Sequence, residues 1–186
     1  QFMLTFGSDP NAKVTKKSKS PLSFHPIALI FGLLSFVSYL VEGAVGDWSA
    51  LYLFEDKGIV IEEAVMGVML FNGTMCIGRL LGNRLGKHLT SKQVVVGGYL
   101  LGSIAMGLIV FLPGHASMYT YLLLGISLAM IVPNLFSAMG EQNVIPMTQA
   151  VATSTMLGYM GILMGPALIG FIAHGTSLTV AFIVLT

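Results

Sequence analysis

The stretch that decides the fold is residues 37–53, which read VSYLVEGAVGDWSALYL. It lies in an apolar run long enough to cross a lipid bilayer, and yet it contains two carboxylates, Glu42 and Asp47. A charged side chain at the centre of a bilayer costs about 3 kcal/mol or more, so such a group is usually paired, protonated or used. We therefore expect this helix to carry the function.

The composition is that of an integral membrane protein. Of 186 residues, 55% are hydrophobic and 9% are charged, and the mean hydropathy is +0.85, whereas soluble domains carry about 25% charged residues. The net charge of +1 argues against a nucleic-acid partner, and the single cysteine excludes an intrachain disulfide framework. The sequence predicts an all-α, polytopic transmembrane helix bundle in a lipid bilayer.

Apolar runs and turn signals divide the chain into a polar segment and six helices. Residues 1–26 are polar and rich in lysine, as is typical of a linker. Helices are predicted at residues 27–53, 64–81, 93–112, 118–139, 149–173 and 178–186, the last of them incomplete. Pro133 should bend the fourth helix. Because residue 1 is Gln and the last residues stop inside an apolar run, we expect a piece of a longer chain.

The basic residues predict the orientation of the helices. All but one of the 9 Lys and Arg residues lie in residues 1–26 or around the turn after the second helix, and Lys57 is the exception. Cytoplasmic loops of membrane proteins carry such an excess of positive charge. Residues 1–26 and the loop at residues 82–92 are therefore predicted to be cytoplasmic.

A helical wheel arranges the polar groups of the first helix on one side. Six small or polar residues fall within an arc of about 100°: Ser35, Ser38, Tyr39, Glu42, Gly46 and Ser49. Asp47 lies about 140° from Glu42 on the same wheel, so the two carboxylates do not form a close acid/base pair. Asp47 is expected at the outer interface beside Trp48, as an anchor or a helix-packing group.

Depth along the helices selects the candidate binding residues. Glu42 lies about 23 Å from the inner end of its helix, and Asn72 on the second helix lies at nearly the same depth. Glu42, Tyr39, Ser38 and Asn72 are predicted to bind a substrate or a proton. The alternatives are a protonated structural glutamate bonded to a neighbouring helix, and an interhelical hydrogen bond from Asn72.

Further polar groups are weaker candidates. Asp47, Trp48 and Asn134 form a secondary set. Arg79 and Asn134 lie about 10 Å from the inner face by the same count, and Arg79 is predicted to be an interfacial anchor. The four histidines stand at helix ends or turns, and the sequence shows no metal-ligand cluster and no Walker loop. We therefore predict no enzymatic activity, no cofactor and no metal.

The turn after the second helix carries a family resemblance. Residues 78–88, GRLLGNRLGKH, resemble the cytoplasmic signature loop of the major facilitator superfamily, G-x-x-x-D-R/K-x-G-R/K-R/K. The resemblance implies a cytoplasmic gate loop made of Gly82, Asn83, Arg84, Gly86 and Lys87. Asn83 replaces the usual Asp, so a hydrogen bond stands where the family has an ionic contact.

Two other segments extend this resemblance. Residues 158–170 resemble helix 11 of the superfamily, with Gly165 and Pro166 giving that helix flexibility, as Pro133 does for helix 10. Residues 42–53 are similar to helix 7 of a bacterial inner-membrane subgroup, the YbjJ-like proteins. The resemblance implies the C-terminal half of a twelve-helix fold, helices 7 to 12, whose partner is the N-terminal half of the same transporter. Helices 7 and 10 would line the central path.

The function expected from these features is secondary active transport. The protein would move a small solute across a bacterial inner membrane by alternating access, as a symporter or antiporter coupled to protons through Glu42. The alternative is a non-transporting receptor or assembly protein built on the same scaffold. A membrane-embedded enzyme is a third class, for which the sequence contains no convergent catalytic set.

Overall fold

The structure, a computed structural model, describes residues 22–85 and 89–186, with residues 83–85 described by backbone alone. The described residues form seven helices: α1 (Pro26–Glu55), α2 (Ile61–Leu85), α3 (Ser91–Phe111), α4 (Gly114–Ala129), α5 (Ile131–Glu141), α6 (Met147–Gly175) and α7 (Leu178–Val184). Most of the predicted linker at residues 1–26 lies outside the described residues.

Five segments of the described chain are long and apolar enough to cross a membrane. They are Pro26–Glu55, Ile61–Gly82, Ser91–Phe111, Gly114–Glu141 and Met147–Gly175. The fourth segment consists of α4 and α5 together. The predicted all-α, polytopic transmembrane bundle is thus confirmed, and the chain is a multi-pass membrane protein.

Local sequence signals set where several helices begin. Pro26 occupies the first turn of α1, where its missing N–H has no partner to lose, and the His25 ring accepts a hydrogen bond from the Ile27 amide. Thr90 and Gln93 form a reciprocal capping box at the start of α3. Gly114 has a φ of 47°, which a residue with a side chain rarely adopts, and it starts α4 four residues before the predicted position.

The fourth membrane segment is broken at Met130, between α4 and α5. Pro133 stands three residues beyond the break. It has no amide proton to donate to the carbonyl of Ala129, and its ring clashes with that carbonyl in a regular helix. The sequence placed a bend within a single helix at residues 118–139, and the structure has two helices there.

The α1–α6 pair forms the most extensive contact between two helices. Its backbones approach closely because glycines face the other helix. A Cβ at Gly161 would overlap the carbonyl oxygen of Phe36, and one at Gly165 would overlap that of Leu40. From α1, a Cβ at Gly43 would lie 2.6 Å from the carbonyl oxygen of Ile162. Such small-residue contacts are a common way to pack helices in lipid.

The connection between α1 and α2 holds one end of the bundle together. The Lys57 ammonium donates to the carbonyl oxygens of Val110 and Leu112, at 2.6 and 3.0 Å, at the C-terminal end of α3. Burial lowers the pKa of Lys57, and the neighbouring Asp56 carboxylate acts in the opposite direction. Asp56 also accepts a hydrogen bond of 2.7 Å from Thr179 on α7. This connection thus joins α1, α3 and α7.

Candidate functional site

An ion pair joins α1 to α2 inside the membrane segments. One guanidinium nitrogen of Arg79, Nη2, lies 3.3 Å from Oε2 and 3.4 Å from Oε1 of Glu42. The Arg79 side chain is 44% exposed and that of Glu42 is 23% exposed. Glu42 therefore has a positively charged partner on a neighbouring helix, so a charge at this depth is balanced rather than isolated.

Arg79 is paired with Glu42 rather than isolated, although the depth count from the sequence placed the two residues at different depths. That count treated the inner ends of the two helices as level. However, α1 has 30 residues and α2 has 25, and a short connection joins their other ends. Counted from that connection, Glu42 and Arg79 lie about 20 and about 27 Å along their helices. The long arginine side chain covers the remaining difference.

Tyr39 lies in the same region as this ion pair. Its ring stacks on that of Tyr159 from α6, with centroids 6.4 Å apart and planes 5° from parallel. The side chain is within electrostatic range of Glu42 and Arg79. The structure thus brings Tyr39 and Glu42 together, as the helical wheel indicated, and adds Arg79 and Tyr159, which the sequence analysis did not place there.

Two serines of the predicted polar stripe are buried and hydrogen-bonded to neighbouring helices. The Ser38 hydroxyl is buried and lies 2.7 Å from the Tyr99 hydroxyl, which donates to the Leu34 carbonyl. Ser35 is hydrogen-bonded to Ser154 of α6 at 2.6 Å. These groups connect α1 to α3 and α6. Ser38 also lines a cavity of about 250 Å³, so its role in solute binding stays a prediction.

Asn72 is not brought into contact with Glu42. Its side chain is exposed, and its amide nitrogen donates to the carbonyl of Val68, one turn back on α2, at 2.9 Å. Within the described residues, the hydrogen bonds of Glu42 go to Arg79. The depth count placed Asn72 level with Glu42, but the side chain turns back to its own helix.

The two secondary candidates on α1 have different surroundings. Asp47 is exposed. The indole N–H of Trp48 donates to the carbonyl of Pro166 at 3.0 Å, and a Cβ at Gly170 would lie 2.9 Å from the ring. Trp48 therefore packs on α6. α6 is continuous through Gly165 and Pro166, so the structure gives Gly165 a packing role and shows no break at this proline.

We predict that Trp48→Phe reduces the free energy of unfolding by about 2 kcal/mol, because it removes a hydrogen bond to the Pro166 carbonyl and leaves space beside Gly170. Thermal unfolding of the intact protein in detergent measures the loss. Tyr119→Phe, at an exposed tyrosine of α4, is the matched aromatic control and should change little. If the variant keeps its stability but has a raised KM for the solute, Trp48 contributes to solute binding instead.

A cavity of about 480 Å³ lies beside Arg79, between the ends of α2, α3 and α5. Its lining consists of Arg79, Gly82, Leu89, Thr90, Ser91, Met130, Pro133, Asn134, Ser137 and Glu141. The cavity brings the secondary candidate Asn134 to the same space as Arg79. The Asn134 amide nitrogen donates one of its two N–H groups to the Met130 carbonyl at 2.8 Å, so its carbonyl oxygen and its second N–H are available to a ligand.

The predicted gate loop is fully described only at its first residue. Gly82 lines the cavity and packs on Met130, whose sulfur would lie 2.7 Å from an added Cβ. The side chains of Asn83 and Arg84, and all of Gly86 and Lys87, lie outside the described residues. The gate function of this loop stays a prediction.

Three related proteins can be aligned with most of the chain. It is 42% identical over 157 residues to an MFS-type transporter of Yersinia pestis, a match that spans 83% of this chain and 40% of that protein. It is 31% identical over 151 residues to the membrane protein MosC of Rhizobium meliloti, spanning 81% of this chain and 37% of MosC. A transporter of Sinorhizobium fredii is 28% identical over 160 residues, spanning 84% and 42%.

The chain thus spans less than half the length of these relatives. No family model matches it, and no solved structure matches it. The relatives' names, the match to only part of their length and the apolar helices agree with the resemblance seen in the sequence. The chain belongs to the MFS-type transporters of the major facilitator superfamily, and its helices are consistent with the C-terminal half of such a protein.

Proposed function

We propose that the chain is part of a secondary active transporter that moves a small solute across the membrane by alternating access, with Glu42 as its proton-coupling group. The observation that carries this proposal is the ion pair between Glu42 and Arg79 within two membrane-spanning helices. Two of the related proteins are named transporters, which supports the same function.

The geometry of the ion pair suits a contact that forms and breaks. A single nitrogen of Arg79 reaches both oxygens of Glu42, at 3.3 and 3.4 Å. Strong charged hydrogen bonds of this kind are shorter, about 2.7–2.9 Å, and arginine often uses two nitrogens in them. Protonation of Glu42 removes most of the attraction, so Arg79 becomes free to turn towards the cavity. The two protonation states of Glu42 then favour two arrangements of α1 and α2.

Among the residues that the structure describes, few other groups near Glu42 could compete for its proton. Arg79 faces it from α2, while Tyr39 on its own helix and Tyr159 on α6 lie nearby. The α5 carboxylate, Glu141, accepts a hydrogen bond from Ser91. Glu42 is therefore the carboxylate best placed to sense both a proton and the state of Arg79.

The proposal includes a location and a partner. Residues 1–26 and the loop at residues 82–92 would face the cytoplasm of a bacterial inner membrane, because they contain most of the lysines and arginines. The N-terminal half of the same transporter would complete the path on the other side of the site. A receptor or assembly protein would need no cavity beside the ion pair, so the 480 Å³ space next to Arg79 supports transport.

We predict that Glu42→Gln in the intact protein abolishes solute accumulation driven by a pH gradient, because an amide at this position does not take up or release a proton. Uptake into proteoliposomes, with and without an imposed gradient, measures the effect. Exchange of solute between the two sides should persist, since it needs no net proton movement. The matched control is Glu62→Gln, at an exposed carboxylate in the first turn of α2. Uptake by the Glu42→Gln protein that still follows the gradient would refute the coupling role.

A further inference from the structure

We propose that Arg79 binds a hydroxylated organic anion, a sugar acid or a sugar phosphate, which takes the place of the Glu42 carboxylate on the guanidinium. This inference names the class of solute, and it rests on the proposed function above. The argument depends on the bonding of Arg79, on the charges around the cavity and on the polar groups that line it.

Arg79 has binding capacity that Glu42 does not use. A guanidinium carries five N–H donors, and within the described part of the chain the hydrogen bonds of Arg79 run from Nη2 to Glu42. The side chain is 44% exposed and lines the cavity. An incoming carboxylate or phosphate can therefore bind two nitrogens of Arg79 in a fork, which is a stronger geometry than the present contact through one.

The charges around the cavity favour an anion. The N-terminus of α3 opens on it at Thr90 and Ser91, and a helix N-terminus carries a partial positive charge. Glu141 is the one carboxylate among the residues that line the cavity, and it accepts a hydrogen bond of 2.8 Å from the Ser91 hydroxyl at that N-terminus. Its charge is thus compensated locally. Once Glu42 leaves Arg79, the guanidinium is the uncompensated charge among the described lining residues.

The remaining polar groups favour a solute that also carries hydroxyls. Asn134 uses its amide nitrogen on the Met130 carbonyl, and the Ser137 hydroxyl donates to the Pro133 carbonyl at 3.2 Å. Both side chains therefore keep acceptor oxygens for the O–H donors of a ligand, and Asn134 also keeps one N–H for a hydroxyl oxygen. A cavity of about 480 Å³ is in the range that encloses small-molecule ligands, so a sugar-sized anion fits the space.

Binding of matched probes to the purified intact protein tests the assignment without any need for transport. Gluconate and glucose 6-phosphate represent the two anion types, and glucose and glucosamine are the neutral and cationic counterparts. We expect at least one of the two anions to bind at millimolar concentration or below, measured by calorimetry, and glucose and glucosamine to bind much more weakly. The anion that binds identifies whether the recognised group is a carboxylate or a phosphate.

Variants of the ion pair separate this assignment from a general loss of structure. Arg79→Lys, which keeps the charge but not the fork, should weaken anion binding by about tenfold, the equivalent of one charged hydrogen bond. Glu42→Gln should strengthen anion binding, because it removes the competing carboxylate. Lys92→Gln, at an exposed lysine of α3 outside the lining residues, should leave it unchanged.

Several results would overturn the inference. They are the failure of both anions to bind, preferred binding of glucosamine, or anion binding that is indifferent to Arg79→Lys. Gradient-driven uptake of glucose or glucosamine that is unaffected by Arg79→Lys would leave the transport proposal standing and remove this one. Anion binding through Arg79 without uptake into proteoliposomes would support this assignment and count against the transport proposal.

Discussion

Gly161→Ala is expected to reduce the free energy of unfolding of the intact protein by about 3 kcal/mol, at the upper end of what overpacking usually costs. The added Cβ would overlap the main-chain carbonyl of Phe36. A side chain could rotate away from such a contact, whereas a carbonyl of α1 can retreat only if α1 and α6 move apart. That movement would loosen the most extensive helix contact in the described bundle. Thermal unfolding in detergent and the folded yield after extraction measure the loss.

Exposed glycines on other helices provide the control for this substitution. A Cβ at Gly73 of α2 or Gly97 of α3 meets no other atom within 4 Å. Alanine at these positions should stabilise the helix by about 0.5–1 kcal/mol, because glycine is the more costly residue in a helix interior. The same chemical change is thus expected to have opposite signs. If Gly161→Ala were as stable as Gly97→Ala, the close approach of α1 and α6 would be incorrect.

The membrane segments were predictable from the sequence because their apolar runs have the length that a bilayer demands. The break at Met130 was not predictable, because the apolar run continues through it and hydropathy does not report backbone hydrogen bonds. Pro133 indicated a bend, but the carbonyl that loses its donor belongs to Ala129, so the break lies nearly one turn earlier. Likewise, the abundance of glycine indicated close packing, but it did not show that Gly161 and Gly165 face the carbonyls of α1.

The candidate site was predictable in part. Glu42 stood out because a carboxylate at that depth requires compensation, and its near neighbour Tyr39 followed from the helical wheel. The partner did not follow, although Arg79 is the only Lys or Arg inside the predicted helices. A search for an opposite charge within those helices would have found it. A wheel also does not show which neighbour a polar group meets, so the hydrogen bond between Ser38 and Tyr99 did not follow from it.

Arg79→Gln is expected to reduce the free energy of unfolding by about 2 kcal/mol in the intact protein. Removal of one partner leaves the Glu42 carboxylate without its counter-charge inside the membrane. For fully buried pairs this costs about 3–5 kcal/mol, and partial exposure of both side chains reduces the effect through solvent screening. Chemical or thermal unfolding in lipid nanodiscs at neutral pH measures it.

The double variant Glu42→Gln, Arg79→Gln tests whether the pair or the individual side chains matter. It removes both charges, and two amides can still form a hydrogen bond, so we expect it to recover most of the stability lost in Arg79→Gln. Coupled uptake should not recover, because the protonatable group is gone. A double variant whose loss equals the sum of the two single losses would show that Glu42 and Arg79 act independently. We therefore expect the double variant to regain stability but not transport. This result would mean that the two charges serve transport, because an uncharged contact holds the helices equally well.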